Sequence, residues 1–364
     1  MVALVSAAKS EQSNAERPHD GLSCWVMGTK NHVHLEDWKR RAQELKTHDT
    51  GVAVTKPAAS RFHIKTQPSY LVTAIASLYK GADFIEQFMD NITSQSIFDD
   101  YCELVIVDAE SPDGEAAVIE RYLAKYKNIQ YLRMNYRIGI YDAWNVGVKA
   151  ARGTYLTNTN LDDLRRHDSL ELQASVLDNL DFVDVVYQDF YYSFDPELSF
   201  EEVAAFDYKS NLPLVTPYSM LAFNSPHNAP MWRKRLHDEL GLFDINYKSA
   251  GDYEFWMRCM AARKKFYKIN DPHVVYYQNP NGLSTRPDTR GVVEARAIMK
   301  KYSRQLVSPH LTSEISTFAD TVLGCDANYA RDTAGTSDDR YRLVQAELRQ
   351  LAKNTKYFGR SGKS

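Results

Sequence analysis

A chain of 364 residues, 44% apolar and 25% charged, has the make-up of a globular protein with room for one large domain and added segments. Its formal net charge of −3, with both signs mixed along the sequence, excludes the basic excess that broad nucleic-acid binding requires. Cys24, Cys102, Cys259 and Cys325 form no CxxC pair, so free thiols in a reducing, cytoplasmic compartment are expected rather than a zinc site or disulfide framework.

No basic start followed by an apolar core opens the chain, and no stretch approaches the roughly 18 apolar residues that span a bilayer. A membrane-bound substrate would therefore be met peripherally, at the membrane surface. Residues 1–20 carry no periodicity and read as unstructured. Leu35, Trp38, Ala42 and Leu45 predict a short helix around 34–47. The Thr-, Pro-, Ala- and Ser-rich stretch from His48 to Pro68 reads as a linker. From Tyr70 to Ile75 a near-continuous apolar run predicts a strand buried on both faces. Phe84, Ile85, Phe88, Met89 and Ile92 then carry helical spacing. Glu103–Val107 is a second strand, Val118–Tyr126 a second helix and Ile129–Leu132 a third strand. A helix over Ile140–Ala151 follows, then a strand at Tyr155–Thr157, another helix, and a strand at Val183–Tyr187. Such alternation predicts an α/β fold, a mostly parallel sheet flanked by helices, whose ligands bind at the carboxyl ends of the strands.

Polar residues collect at those ends. Asp108, within Val107-Asp108-Ala109-Glu110-Ser111-Pro112-Asp113-Gly114, can accept hydrogen bonds from a base N–H or ribose hydroxyls. Ser111, Pro112, Asp113 and Gly114 supply the turn and an N-cap for the next helix. At Asn160-Leu161-Asp162-Asp163, two adjacent carboxylates repel unless a cation or strong donors lie between them. Their hard oxygens suit Mg²⁺ or Mn²⁺, which also binds a diphosphate and neutralises a departing nucleoside diphosphate. Most acidic pairs are solvated turns; the place after a sheet strand is what sets this one apart. Asp252, in Ser249-Ala250-Gly251-Asp252-Tyr253-Glu254-Phe255-Trp256-Met257-Arg258, sits where a helix begins. It is either a carboxylate favoured by the helix dipole or a general base for an acceptor hydroxyl.

Taken together, these segments resemble the family 2 glycosyltransferases with the GT-A fold, over residues 69–290. The strings that carry the resemblance are Val107–Gly114, Asn135–Gly139, Ala143–Gly147, Ala151–Gly153, the metal turn Asn160–Asp163, Gly241–Asp244 and Gly251–Arg258. It implies an inverting transferase that moves a sugar from a nucleoside-diphosphate sugar to a hydroxyl. Asp108, Glu110, Arg137, Asn145, Asn160 and Asp162 would bind the donor. Asp162 and Asp163 would hold Mn²⁺ or Mg²⁺, and Asp252 would be the catalytic base. Three positions depart from the pattern: Ala109 replaces a second Asp, Asn160 a first acidic residue, and Gly251 the glutamate that usually precedes the base.

Asn224–Arg233 falls in the acceptor-facing region, where Trp232 is a candidate for stacking on a sugar ring and His227 for lining the site. Arg133 and Arg137 are candidates for neutralising phosphate; His273 reads as a structural histidine. The acceptor, whether a glycan, a lipid-linked saccharide or another hydroxyl, is not written in the sequence. A non-catalytic nucleotide-sugar or glycan-binding module of the same fold is the alternative reading. The expected domains are an extension and linker over 1–66, the transferase domain over 67–290 and a helical segment over 291–364. In the last, Tyr341, Val344, Leu348 and Leu351 predict a helix that packs on the core or on a second copy of the chain.

Overall fold

The structure, a computed structural model, describes Arg40 and residues 70–285 and 289–306. The helix expected around 34–47 (apart from Arg40), the linker over 48–68, the helix bearing Tyr341 and both Cys24 and Cys325 lie outside the described residues.

In chain order the strands are β1 (Val72–Leu78), β2 (Cys102–Asp108), β3 (Ile129–Arg133), β4 (Tyr155–Asn158), β5 (Leu164–Arg165), β6 (Val185–Gln188), β7 (Tyr191–Ser193), β8 (Met231–Arg233), β9 (Phe266–Ile269) and β10 (Val274–Tyr277). The main sheet runs β3-β2-β1-β4-β8-β6-β9, and a smaller one runs β5-β10-β7. β1 pairs in parallel with β2 and β4, β2 with β3, and β6 with β9; β8 runs antiparallel to both β4 and β6. Thus the sheet is mostly parallel, as the alternation predicts.

The nearly continuous apolar runs of β1 and β2 reflect cover on both faces. Along β1, Val72, Ala74, Ala76 and Leu78 pack against Ile85, Phe88, Met89 and Ile92 of the helix Ile85–Thr93, while Ile75 faces Trp144 and Val148 of the helix Ile140–Ala150. In β2, Leu104 and Ile106 join the first layer; Val105 and Val107 meet Ala143 on the other side. This period-two sorting puts these residues in one layer or the other, and each Val, Leu, Ile, Phe or Met among them contributes about 1.5–3 kcal/mol by leaving water.

Ends differ in detail from expectation. The helix Glu115–Lys125 begins after Gly114 at φ 85°, with no side-chain cap. Ser111 instead accepts from the Lys80 N–H (2.7 Å) and donates to Glu115 (2.5 Å), tying the ends of β1 and β2 together. At the amino end of the sheet, buried Glu103 accepts from Thr73, Gln130 and Arg152, so Thr73 lies away from the ligand end.

The reversal of β8 positions the site. Thr157 of β4 pairs with Met231, the first residue of β8, so the segment leading into β8 arrives at the carboxyl end of β4. Residues 224–230 are thereby brought beside the acidic turn that leaves β4. The helix Gly251–Ala261 packs on the same layer as the helix Ile140–Ala150, through Phe255, Trp256, Met257 and Cys259.

Candidate active site

Beyond β4 the chain turns at the carboxyl edge of the sheet, with the Thr159 N–H still donating to the Ile75 carbonyl (2.9 Å). Asp163, 6% exposed, has both oxygens engaged: Oδ2 accepts from Asn160 Nδ2 (2.8 Å) and Oδ1 from the Tyr277 N–H (3.1 Å). Asp162 is half-buried, and its Oδ2 accepts from Asn279 Nδ2 (3.0 Å). Burial pushes the pKa of both carboxyls up; at Asp163 the neighbouring Asp162 charge adds to it. Beneath the turn, Arg165 is buried and donates to Thr157, Ser169, Gln173 and the Asn158 carbonyl. Burial draws its pKa down to about 10, against the pull of the Asp163 charge.

Asp252 is the second residue of the helix Gly251–Ala261. Tyr141 donates to its Oδ1 (3.1 Å) and Asn224 Nδ2 to its Oδ2 (2.8 Å). The missing side chain at Gly251 has a reason, because a Cβ there would stand 2.7 Å from the Tyr141 ring. Burial pushes the Tyr276 hydroxyl pKa up, its hydrogen bond with Ser284 opposes that, and the charges of Asp163, Asp162 and Asp252 add to the rise. Its ring lies 4.9 Å from His227, edge to face. Burial draws the His227 pKa down, and the Asp252 charge opposes that.

Several sequence assignments are corrected here. Asp108 is fully buried and turned inward: it accepts from the Ser111 N–H (2.6 Å), Tyr131 (2.5 Å) and Arg133 (2.6 Å). It braces the turn after β2, and Arg133 is engaged in the same bracing. Asn145 binds both backbone polar groups of one residue, accepting from the Phe243 N–H and donating to its carbonyl (2.9 Å each), so it clamps a buried turn. Trp232 is 1% exposed, packs against Trp256 and donates to His237 (3.0 Å); it belongs to the core and has no face for a sugar. His227 is half-buried against the Tyr276 ring. Glu110 is exposed on left-handed backbone (φ 63°), and Arg137 is exposed with its guanidinium 3.5 Å over the Tyr79 ring, just past β1. His273 is buried, bonded to Ser169 (2.8 Å), and its pKa falls to about 3 through burial.

The glycosyl transferase family 2 profile matches residues 73–239, spanning β1 through β8 and the acidic turn. The chain carries a family 2 glycosyltransferase domain. An uncharacterized glycosyltransferase of Methanocaldococcus jannaschii is 23% identical over 222 residues, 58% of this chain and 71% of that relative. A PGL/p-HBAD biosynthesis glycosyltransferase of Mycobacterium bovis is 27% identical over 197 residues, 54% of this chain and 72% of its own. Among solved structures, S. aureus TarS 1-349 in complex with UDP-GlcNAc is similar with a TM-score of 0.51 and 14% identity, covering 79% of this chain and 93% of that one. The fold is the GT-A arrangement, and the protein is a glycosyltransferase.

Asp252 and Asn279 lie beyond the residues matched to the glycosyltransferase family. Among the described residues no three His, Cys, Asp or Glu side chains gather into a metal site. What the turn offers a divalent cation is Asp162, with Asp163 locked beside it, so phosphate oxygens of a donor would have to complete the shell. The raised pKa values fit that arrangement, since a cation would relieve two carboxylates that are costly to ionise side by side. Tyr141, Tyr276 and Asn279 carry no signal in the sequence because neutral polar residues far apart in the chain form no motif, and Asn224 stands there only as the start of the acceptor-facing segment. No helix among the described residues is long and apolar enough to cross a membrane.

Proposed function

We propose that this glycosyltransferase moves a sugar from a nucleoside-diphosphate sugar to an acceptor hydroxyl by direct displacement, with inversion at the anomeric carbon. The acceptor oxygen attacks that carbon, the bond to the diphosphate breaks, and Asp252 takes the hydroxyl proton. Tyr141 and Asn224 each hold one Asp252 oxygen, fixing the plane of the carboxylate before the acceptor arrives. Asp162, in the turn locked by Asn160 and Asp163, would hold Mn²⁺ or Mg²⁺ on the donor diphosphate, where the cation supplies neutralisation of the leaving group. Arg137 over Tyr79 borders the same end of the sheet and is assigned to the donor, with Glu110 and Asn160 near the nucleoside. His227 lies on the acceptor side.

The observation that supports this reading is the Asp252 carboxylate held at both oxygens by Tyr141 and Asn224, while Tyr277 and Asn279, which follow Tyr276 and its His227 ring contact in the chain, hold the acidic turn. The UDP-GlcNAc bound by S. aureus TarS, which shares the fold, makes UDP-sugars the first donors to try. Nucleoside diphosphate release is measured over a panel of UDP- and GDP-sugars, with Mn²⁺ and after chelation. Asp252→Asn should lower turnover by about 10²–10⁴-fold while the Kd for UDP stays the same. Turnover of that variant within a few fold of wild type would remove Asp252 as the base; tight UDP binding with no turnover of any donor in the wild type would leave a binding module.

A further inference from the structure

The helix Gly251–Ala261 starts without a cap of its own. Its N-cap residue is Ala250, which has no side-chain acceptor, and its first residue is Gly251. The preceding backbone N–H groups are nevertheless satisfied, from another element. Glu294, on the helix Gly291–Leu306, accepts from the N–H of Lys248 (2.9 Å to Oε1, 3.1 Å to Oε2), of Ser249 (2.9 Å) and of Ala250 (3.0 Å). Those are the residues leading directly to Asp252. One carboxylate thus receives the whole approach to the base and lays its negative charge at the positive end of the helix that bears it. The same two helices are tied again further along, where buried Glu254 accepts from Tyr302 (2.6 Å) and Lys301 (3.0 Å).

We infer that Glu294 is a positioning residue for the transfer reaction: it caps the Asp252 helix from outside and fixes where the Asp252 carboxylate stands against Tyr141 and Asn224. The assignment rests on Asp252 being the base. Position 251 illustrates why an outside cap is needed. The Tyr141 ring that donates to Asp252 fills the space a side chain at 251 would take, so a carboxylate for this helix start comes from elsewhere. Misplacing a reacting group by about 1 Å costs roughly 10²-fold in rate, so a loosened approach registers in turnover before it registers in donor binding.

The test compares Glu294→Ala and Glu294→Gln with Lys301→Met in the full chain. Lys301→Met weakens the other tie between the same two helices and leaves residues 248–250 untouched. Amide hydrogen exchange reads the geometry directly, and UDP release from UDP-GlcNAc and the rest of the donor panel reads the chemistry. In Glu294→Ala the amides of 248–250 exchange at least about tenfold faster and kcat falls about 10- to 100-fold, with the donor KM within about twofold. Glu294→Gln, which keeps one acceptor oxygen, falls between that variant and the wild type. Lys301→Met keeps those amides protected and kcat within about twofold, even where its melting temperature drops as much. The inference is overturned if Glu294→Ala retains wild-type kcat, if the 248–250 amides stay protected, or if Lys301→Met loses kcat equally. Where Glu294→Ala does not fold, Glu294→Gln decides by the same split between kcat and KM. Asp252→Asn in the same assay separates the two claims. If it too keeps turnover, the base assignment has failed; if it is dead while Glu294→Ala is unaffected, only the positioning role falls.

Discussion

Asn279 and Asp162 stand 117 positions apart, yet the Asn279 amide donates to Asp162 Oδ2 at 3.0 Å. The direction of that amide is set by its other end, because Asn279 Oδ1 accepts from the Asn281 N–H (2.9 Å). The end of β10 and the residues just after it therefore hold both members of the acidic pair: Tyr277 through its backbone, Asn279 through its side chain. A residue that orients a metal ligand commonly matters about 10- to 100-fold in affinity.

Asn279→Ala should accordingly weaken Mn²⁺-dependent UDP binding by about 10- to 100-fold, with little loss of stability at a partly exposed site. Calorimetric titration of UDP with and without Mn²⁺ checks this. Equal affinity in variant and wild type would mean that Asn279 serves only its own turn.

Gly251→Ala should be destabilising by about 1–3 kcal/mol, since the new methyl meets a buried ring at 2.7 Å that cannot swing away. Because that ring carries the hydroxyl bonded to Asp252, turnover should fall further than the melting temperature alone explains. Urea unfolding together with UDP release tests both parts; a neutral variant would show that the helix start is soft.

Acid should weaken the fold through His237. Its Nε2 accepts from Trp232, its Nδ1 faces the Gly241 carbonyl, and burial pushes its pKa down from 6.5 to about 4. The unfolded chain then takes up the proton at higher pH than the folded one. Stability from this group is complete above about pH 6.5 and is lost as pH falls toward 4, by up to about 3 kcal/mol. His273, pushed down to about 3, acts in the same direction. Urea unfolding across pH 7.5 to 4.5 should show a shallower decline for His237→Gln than for wild type; parallel curves would refute the assignment.

Arg165→Met should cost about 3–5 kcal/mol, because it leaves the Gln173 and Asn158 oxygens buried without their donor. It also removes the cation nearest Asp163, so the donor turn should loosen with it. Denaturant unfolding gives the cost, and a loss under about 1 kcal/mol would mean that water replaces the guanidinium.

Much of the fold is legible because β1 and β2 are nearly continuous apolar runs and the helices that follow them keep helical spacing. The smaller sheet is not, since β5, β7 and β10 are two to four residues long and carry no pattern that outlasts a turn. β8 was read as part of an acceptor-facing loop for the same reason. Trp232 shows the consequence: three residues of strand suffice to turn an aromatic into the core. Asp108 and Asn145 went astray differently. A polar residue at a strand or helix end can face the ligand or its own backbone, and spacing does not distinguish the two. Asp162 and Asp252 stand out in the sequence because an acidic pair after a strand and an acid at a helix start are local signals, whereas the bonds of Asn279 and Glu294 reach across the chain.

The backward course of β8 also divides the chain for engineering. Asn224 reaches the Asp252 carboxylate, while Trp232, Arg233 and His237 serve the interior. The carbonyls of Ala229 and Pro230, received by Gln173 and Thr157, form the seam between the two. Upstream of that seam, exchanges at half-buried Asn224 and His227 change what the cleft meets, whereas Ser225 and Asn228 are buried and belong to the scaffold.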